Sequence, residues 1–156
     1  MNARQIMTRE VLTVTQDTSV EAAARLLLEH RINAVPVLDD GQRFVGMVNL
    51  NDLFPKLKEM RFSGQRLARL FDSLVSIADL PSFYWNTRQF PVAQVMNRHV
   101  PCLKPEDDLE RVASQLLYGD YHSLPVIEQG RLVGIISRSD LIRLALIAYR
   151  ESDTHE

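Results

Sequence analysis

Apolar positions along the chain switch from a strand-like to a helix-like spacing and back again, and the whole cycle occurs twice. Val11 to Val14 is short and β-branched, and Thr18-Ser19-Val20-Glu21 follows as a capping box, with Glu three residues after a Thr N-cap. Val20, Ala23, Ala24, Leu27 and Leu28 then fall on one helical stripe. Next come two apolar runs, Ala34 to Leu38 and Phe44 to Val48, around the turn Asp39-Asp40-Gly41, which reads as a hairpin. The second cycle repeats the stripe as Leu109, Val112, Ala113, Leu116 and Leu117. Its hairpin is Leu124 to Ile127, the turn Glu128-Gln129-Gly130, and Leu132 to Ile136. Each cycle predicts strand, helix, strand, strand, helix. Pro36 and Pro125 cannot donate to a ladder, so each is expected at a strand start or an edge.

The two cycles align with a shift of 89, pairing Met7 with Met96, Val11 with Val100, Val20 with Leu109 and Pro36 with Pro125. After the hairpin turn the shift is 88, pairing Gly46 with Gly134 and Asp52 with Asp140. The stretch that repeats most closely is Gly-apolar-apolar-polar-x-x-Asp, present as Gly46 to Asp52 and as Gly134 to Asp140. A strand feeding a helix start gathers free backbone N–H groups and the positive end of the helix dipole, which suits an anion. Ser137 to Asp140 and Asn49 to Asp52 also fit a capping box, and a cap still faces whatever docks beside it.

Residues 1–54 form the first repeat and 92–150 the second; 151–156 is a polar tail expected to fray. Between the repeats, residues 55–91 carry a helical period (Leu67, Leu70, Phe71, Leu74, Ala78), ended by Pro81, so this segment reads as a helical insertion. The aromatics Phe83, Tyr84, Trp85 and Phe90 follow it and are expected to pack on the repeats.

The tandem copies resemble a pair of cystathionine-β-synthase (CBS) domains, a Bateman module. Ala34-Val35-Pro36-Val37, Ser123-Leu124-Pro125-Val126, the two Gly-to-Asp stretches and the starts at Met7 and Met96 carry the resemblance. It implies an α/β (α+β) fold: two β-α-β-β-α repeats packed around a pseudo-twofold, with the helical insertion between them. It also implies clefts that bind adenosine-containing ligands such as AMP, ADP, ATP or S-adenosylmethionine, and pairing into a homodimer. Laid on this chain, Asp140 takes the ribose hydroxyls and Ser137 and Ser139 meet phosphate or ribose oxygens. Ile135, Leu12, Ile32 and Asn33 surround the adenine. A second cleft joins Asp52, Asn49 and Asn51 to Met96, Pro101, Tyr121 and His122, with His122 meeting a phosphate. Asn49 departs from the usual Ser or Thr. Asn33-Ala34 brings no cation to the first cleft, unless Arg9, Arg98 or Arg138 turns inward.

Composition narrows the classes of function. Of 156 residues, 24% are charged with a net charge of -2, and the basic residues are scattered, which argues against a nucleic-acid surface. No apolar run approaches the ~18 residues of a membrane span, the N-terminus lacks signal-peptide regions, and the single Cys102 makes no internal disulfide, so a cytoplasmic protein is expected. Cys102 reads as a small buried apolar residue, and His30, His99 and His155 lack partners at metal-ligand spacing. The sequence contains no phosphate loop with its lysine, no H-E-x-x-H, no paired-cysteine zinc pattern and no G-x-S-x-G elbow. The expectation is a regulatory module that is not an enzyme, requires no cofactor or metal and has no membrane role. The rival reading is a protein-interaction module with vestigial clefts that binds its partner through the insertion.

Overall fold

A computed structural model of the chain describes residues 1–53, 88–119 and 121–153, with side chains up to residue 148. Residues 55–87 of the expected insertion, with Phe83, Tyr84 and Trp85, lie outside these residues. Phe90, the last of the aromatic group, is 44% exposed.

In the first repeat the elements are α1 (Ala3–Ile6), β1 (Val14–Thr15), α2 (Val20–Glu29), β2 (Ala34–Leu38) and β3 (Phe44–Asn49), followed by a 3-10 turn at Leu50–Leu53. The second repeat begins with a 3-10 turn at Val92–Gln94 and continues through α3 (Leu109–Tyr118), β4 (Ser123–Glu128), β5 (Arg131–Ser137) and α4 (Arg138–Asp153). β2 pairs antiparallel with β3 and parallel with β1, while β4 pairs antiparallel with β5. Both predicted hairpins and both striped helices are present.

Several local expectations are corrected. The predicted strand at Val11 to Val14 is confined to Val14–Thr15. Its partner in the second repeat is a single parallel bridge, Leu103 to Val126. The α2 cap is Ser19, whose Oγ accepts the Ala22 N–H at 3.1 Å, because Thr18 Oγ1 is already taken by the Thr15 N–H. α4 continues to Asp153, into the tail expected to fray from residue 151. Pro36 and Pro125 sit inside their strands, opposite Met47 and Ile135. They are tolerated because Met47 and Ile135 turn their own backbone groups away from the prolines, toward Asn97 and Thr8 respectively.

Each repeat's core is completed by the leading segment of the other. The first core gathers Val20, Ala23, Leu27, Val35, Val37 and Val48 and takes in Val92 and Met96 from the second repeat. The second core gathers Leu103, Val112, Leu116, Leu124, Val126 and Ile136 and takes in Ala3, with Ile6 and Met7 packed against it. Backbone bonds fasten the exchange. Ala3 N–H reaches Asp107 O at 2.8 Å, and Thr8 and Ile135 exchange bonds of 2.9 and 3.0 Å. In the mirror position Met47 and Asn97 exchange bonds of 3.0 and 2.8 Å.

The paired glycines serve this close approach. A Cβ on Gly46 would lie 2.8 Å from the Asn97 carbonyl oxygen, and one on Gly134 would lie 2.5 Å from Met7 Sδ. A backbone oxygen in a ladder cannot move aside, whereas a methionine side chain can rotate. Gly46→Ala is therefore expected to cost about 1–3 kcal/mol in denaturant unfolding and Gly134→Ala less; equal losses would refute the ranking.

Candidate functional site

The turn from β5 into α4 builds the centre of the site. Asp140 is 8% exposed, and among the described residues it is the one buried side chain that carries a charge. Its Oδ2 accepts the Ser137 N–H at 2.8 Å and the Ser137 hydroxyl at 2.7 Å. Ser137 Oγ also lies 2.7 Å from Ser139 Oγ. Since the single Ser137 proton goes to Asp140, Ser139 is the donor in that pair. Two donors thus hold Oδ2. Oδ1 meets Arg143 Nη1 at 3.2 Å and keeps room for a further donor. The acid of the expected capping box reaches back to the Ser137 N–H, but the hydroxyl donates to that acid instead of capping the helix.

Asp140 opens onto a cavity of about 380 Å³ between the repeats, within the size range of small-molecule sites. Asp140, Ser137, Ser139, Ile135, Leu12, Ile32 and Asn33 all line it. The Thr8–Ile135 bridge brings the Leu12 segment across to the second repeat. The apolar wall and the polar helix start therefore face one space: the first can cover a flat aromatic ring, the second can accept or donate hydrogen bonds.

The proposed second-cleft residues do not gather in the same way. Asp52 repeats the Asp140 arrangement, accepting the Asn49 N–H at 2.9 Å and Asn49 Nδ2 at 3.0 Å. Asn51 is exposed and Pro101 half-buried. Met96 is buried in the first core, and Tyr121 packs against the second. His122, expected at the second cleft, lines the Asp140 cavity. The cause is local, since the His122 carbonyl accepts the Arg138 N–H at 3.1 Å and Ser123 pairs with Ser137. The segment is held to its own repeat's strand-to-helix turn.

The arginines named from sequence do not reach the Asp140 cavity. Arg138 caps α3 through Leu116 O and Gly119 O at 2.9 and 3.0 Å, satisfying carbonyls at that helix end. Arg98 donates to Ala93 O at 3.3 Å, and Arg9 lines a different cavity. Arg31 and Arg143 line the Asp140 cavity instead. Both were legible: Arg143 lies three residues after Asp140 on one helix face, and Arg31 directly follows the α2 C-cap, with φ 53 turning the chain into the cleft.

Among the described residues no group of His, Cys, Asp and Glu could hold a metal ion, and no helix is long and apolar enough to cross a membrane. Cys102 is exposed, not buried as expected, because the neighbouring Leu103 takes the inward position. Partial burial still pushes its thiol above the usual range, and Sγ lies 3.5 Å from Val100 O. With little thiolate at neutral pH, Cys102 is expected to alkylate several-fold more slowly with iodoacetamide than a cysteine peptide; an equal rate would refute this.

Two β-hairpin repeats that complete each other's cores around an interface cleft, with a buried carboxylate at a helix start, define a tandem-repeat module with a candidate ligand cleft. The CBS domain family model matches residues 3–59 and 92–147, and the chain belongs to that family. It is 32% identical over 145 residues to the chloroplastic CBS domain-containing protein CBSX1 of Arabidopsis thaliana, covering 90% of this chain and 61% of that protein. It thus spans about three fifths of the length of this plant relative. The crystal structure of the CBS-pair protein CBSX2 from Arabidopsis thaliana superposes with a TM-score of 0.75 at 26% identity, covering 96% of each chain. The structure of CBSX2 in complex with AMP gives a TM-score of 0.70 at 28% identity, covering 95% of this chain and 98% of that one.

Proposed function

We propose that the chain is a regulatory sensor that binds an adenosine-containing ligand in the Asp140 cavity, with Asp140 accepting the ribose hydroxyls. The observation that carries this is a buried carboxylate with an oxygen still able to accept, facing an apolar wall across a cavity of small-molecule size. The similarity to CBSX2, solved with AMP, supports it. Adenine lies against Leu12, Ile32 and Ile135, and Ser137, Ser139 and Asn33 meet the sugar and its substituents. Arg31 and Arg143 on the rim favour a phosphate-bearing ligand (AMP, ADP or ATP) over S-adenosylmethionine. On binding, Arg143 exchanges Asp140 for the phosphate. Asp52 with Asn49 and Asn51 forms a second, weaker position.

Calorimetric titration with AMP, ADP, ATP and S-adenosylmethionine tests this, and no heat from any of them with ligand-free protein would sink it. Arg31→Ala with Arg143→Ala is expected to weaken AMP about 10-fold or more while leaving adenosine little changed. Equal losses for both ligands would remove the phosphate role.

The signal passes through α4, which carries Asp140 at its start. Leu141 packs on the second core, whereas Ile142 and Leu146, four residues apart on one face, are 62% and 60% exposed. That face supports a homodimer as the regulated assembly, in a reducing compartment such as the cytoplasm. The chain acts there as a binding module and not as an enzyme. The interaction-module alternative rests on the insertion, most of which lies outside the described residues, and no observation favours it.

A further inference from the structure

Residues 8–13 separate two cavities. Thr8, Glu10 and Leu12 face the adenosine cleft, while Arg9 and Thr13 face a second space of about 370 Å³, and Val11 borders both. Leu38, Gln42, Arg131 and Leu132 complete the second lining. It contains two guanidinium groups and no carboxylate.

The acids nearest in sequence or register are committed elsewhere. Glu128, the cross-strand partner of Arg131, holds Arg4 at 2.6 Å. Asp39 accepts the backbone N–H of Arg43 at 2.9 Å, and Glu10 faces the other cavity. Arg9 and Arg131 make no side-chain hydrogen bond or ion pair among the described residues.

A second observation bears on the same place. Arg43 and Arg131, one from each repeat, form an antiparallel bridge, and the Arg43 guanidinium lies over Gly130, with Nη2 2.5 Å from where a Cβ would stand. Like charges directly opposite across a ladder repel. Arg9 and Arg131 thus share one cavity where the repeats meet, with Arg43 bridged to Arg131 beside it, in a chain whose net charge is -2. The related position in the second repeat, Arg98, is already engaged with Ala93 O, so the accumulation is confined to one side.

We propose that the cavity lined by Arg9 and Arg131 binds a small phosphate-bearing anion, independently of the adenosine cleft. Planar guanidinium forks suit phosphate oxygens, Gln42 and Thr13 supply further donors, and an anion there offsets the like charges of Arg9 and Arg131. Because it bridges both repeats, the anion also stabilises their packing.

Calorimetric titration of the full chain with inorganic pyrophosphate tests the site, alongside Arg9→Gln, Arg131→Gln, the double variant and Asp140→Ala. Each single arginine variant is expected to lose about 10-fold in affinity and the double variant about 100-fold, with circular dichroism melts showing that all remain folded. Asp140→Ala is expected to bind pyrophosphate as the unmodified chain does, so failure here and failure of the adenosine reading are separable. Absence of pyrophosphate binding to the unmodified chain, unchanged affinity in the double variant, or loss in Asp140→Ala would each overturn the proposal.

Discussion

Asp140→Ala is expected to weaken the binding of AMP by about 10- to 100-fold. A hydrogen bond to a charged group is worth about 1.5–3 kcal/mol, and every 1.4 kcal/mol is a factor of ten in affinity. Asp140 also accepts the Ser137 N–H and hydroxyl, so the same change loosens the start of α4 and lowers stability by about 1 kcal/mol. The two effects separate in one experiment. Thermal unfolding with and without AMP should show a ligand-dependent rise in Tm for the unmodified chain and almost none for the variant, whatever its own baseline. Asp52→Ala should reduce the response less. A folded Asp140→Ala protein with unchanged AMP affinity would remove the carboxylate from the site.

Removing residues 2–8 is expected to destabilise the protein at least as much as Leu116→Ala, which should cost about 2–5 kcal/mol because Leu116 is fully buried. The deleted segment is short but holds Ala3 at zero exposure, with Ile6 and Met7 against the second core. It also supplies the backbone bonds from Ala3 and Arg4 to the loop before α3 and the paired bonds between Thr8 and Ile135. Urea unfolding followed by circular dichroism measures the loss. An unchanged midpoint would mean that the segment is an ornament on the second core.

Much of the fold was legible because the repeat doubles every signal. The stripe on α2 is ambiguous alone and decisive when Leu109, Val112 and Leu116 restate it. The hairpins followed from apolar runs around turn residues. Seven of the residues that line the Asp140 cavity were reachable from the family pattern, which places them near strand ends and a helix start. Long-range packing was harder to read. The sequence does not reveal that Ala3 fills the second repeat's core, since a lone alanine carries no period, nor that Met96 is buried in the first repeat's core. Nor does pseudo-symmetry show that His122 borders the Asp140 cavity, where its carbonyl accepts the Arg138 N–H. The expected cations were chosen by proximity to motifs, while helix geometry selected Arg143 instead. Gly46 and Gly134, which head the repeated stretch, prove to be contact points between segments.

The exchanged leading segments make the pair, and not the single repeat, the smallest piece able to fold. A chain cut between its halves would leave each fragment with an open core, recovering structure only when mixed with its complement. Heat should melt both halves in one transition, and a ligand held at the interface would protect every part of the molecule at once.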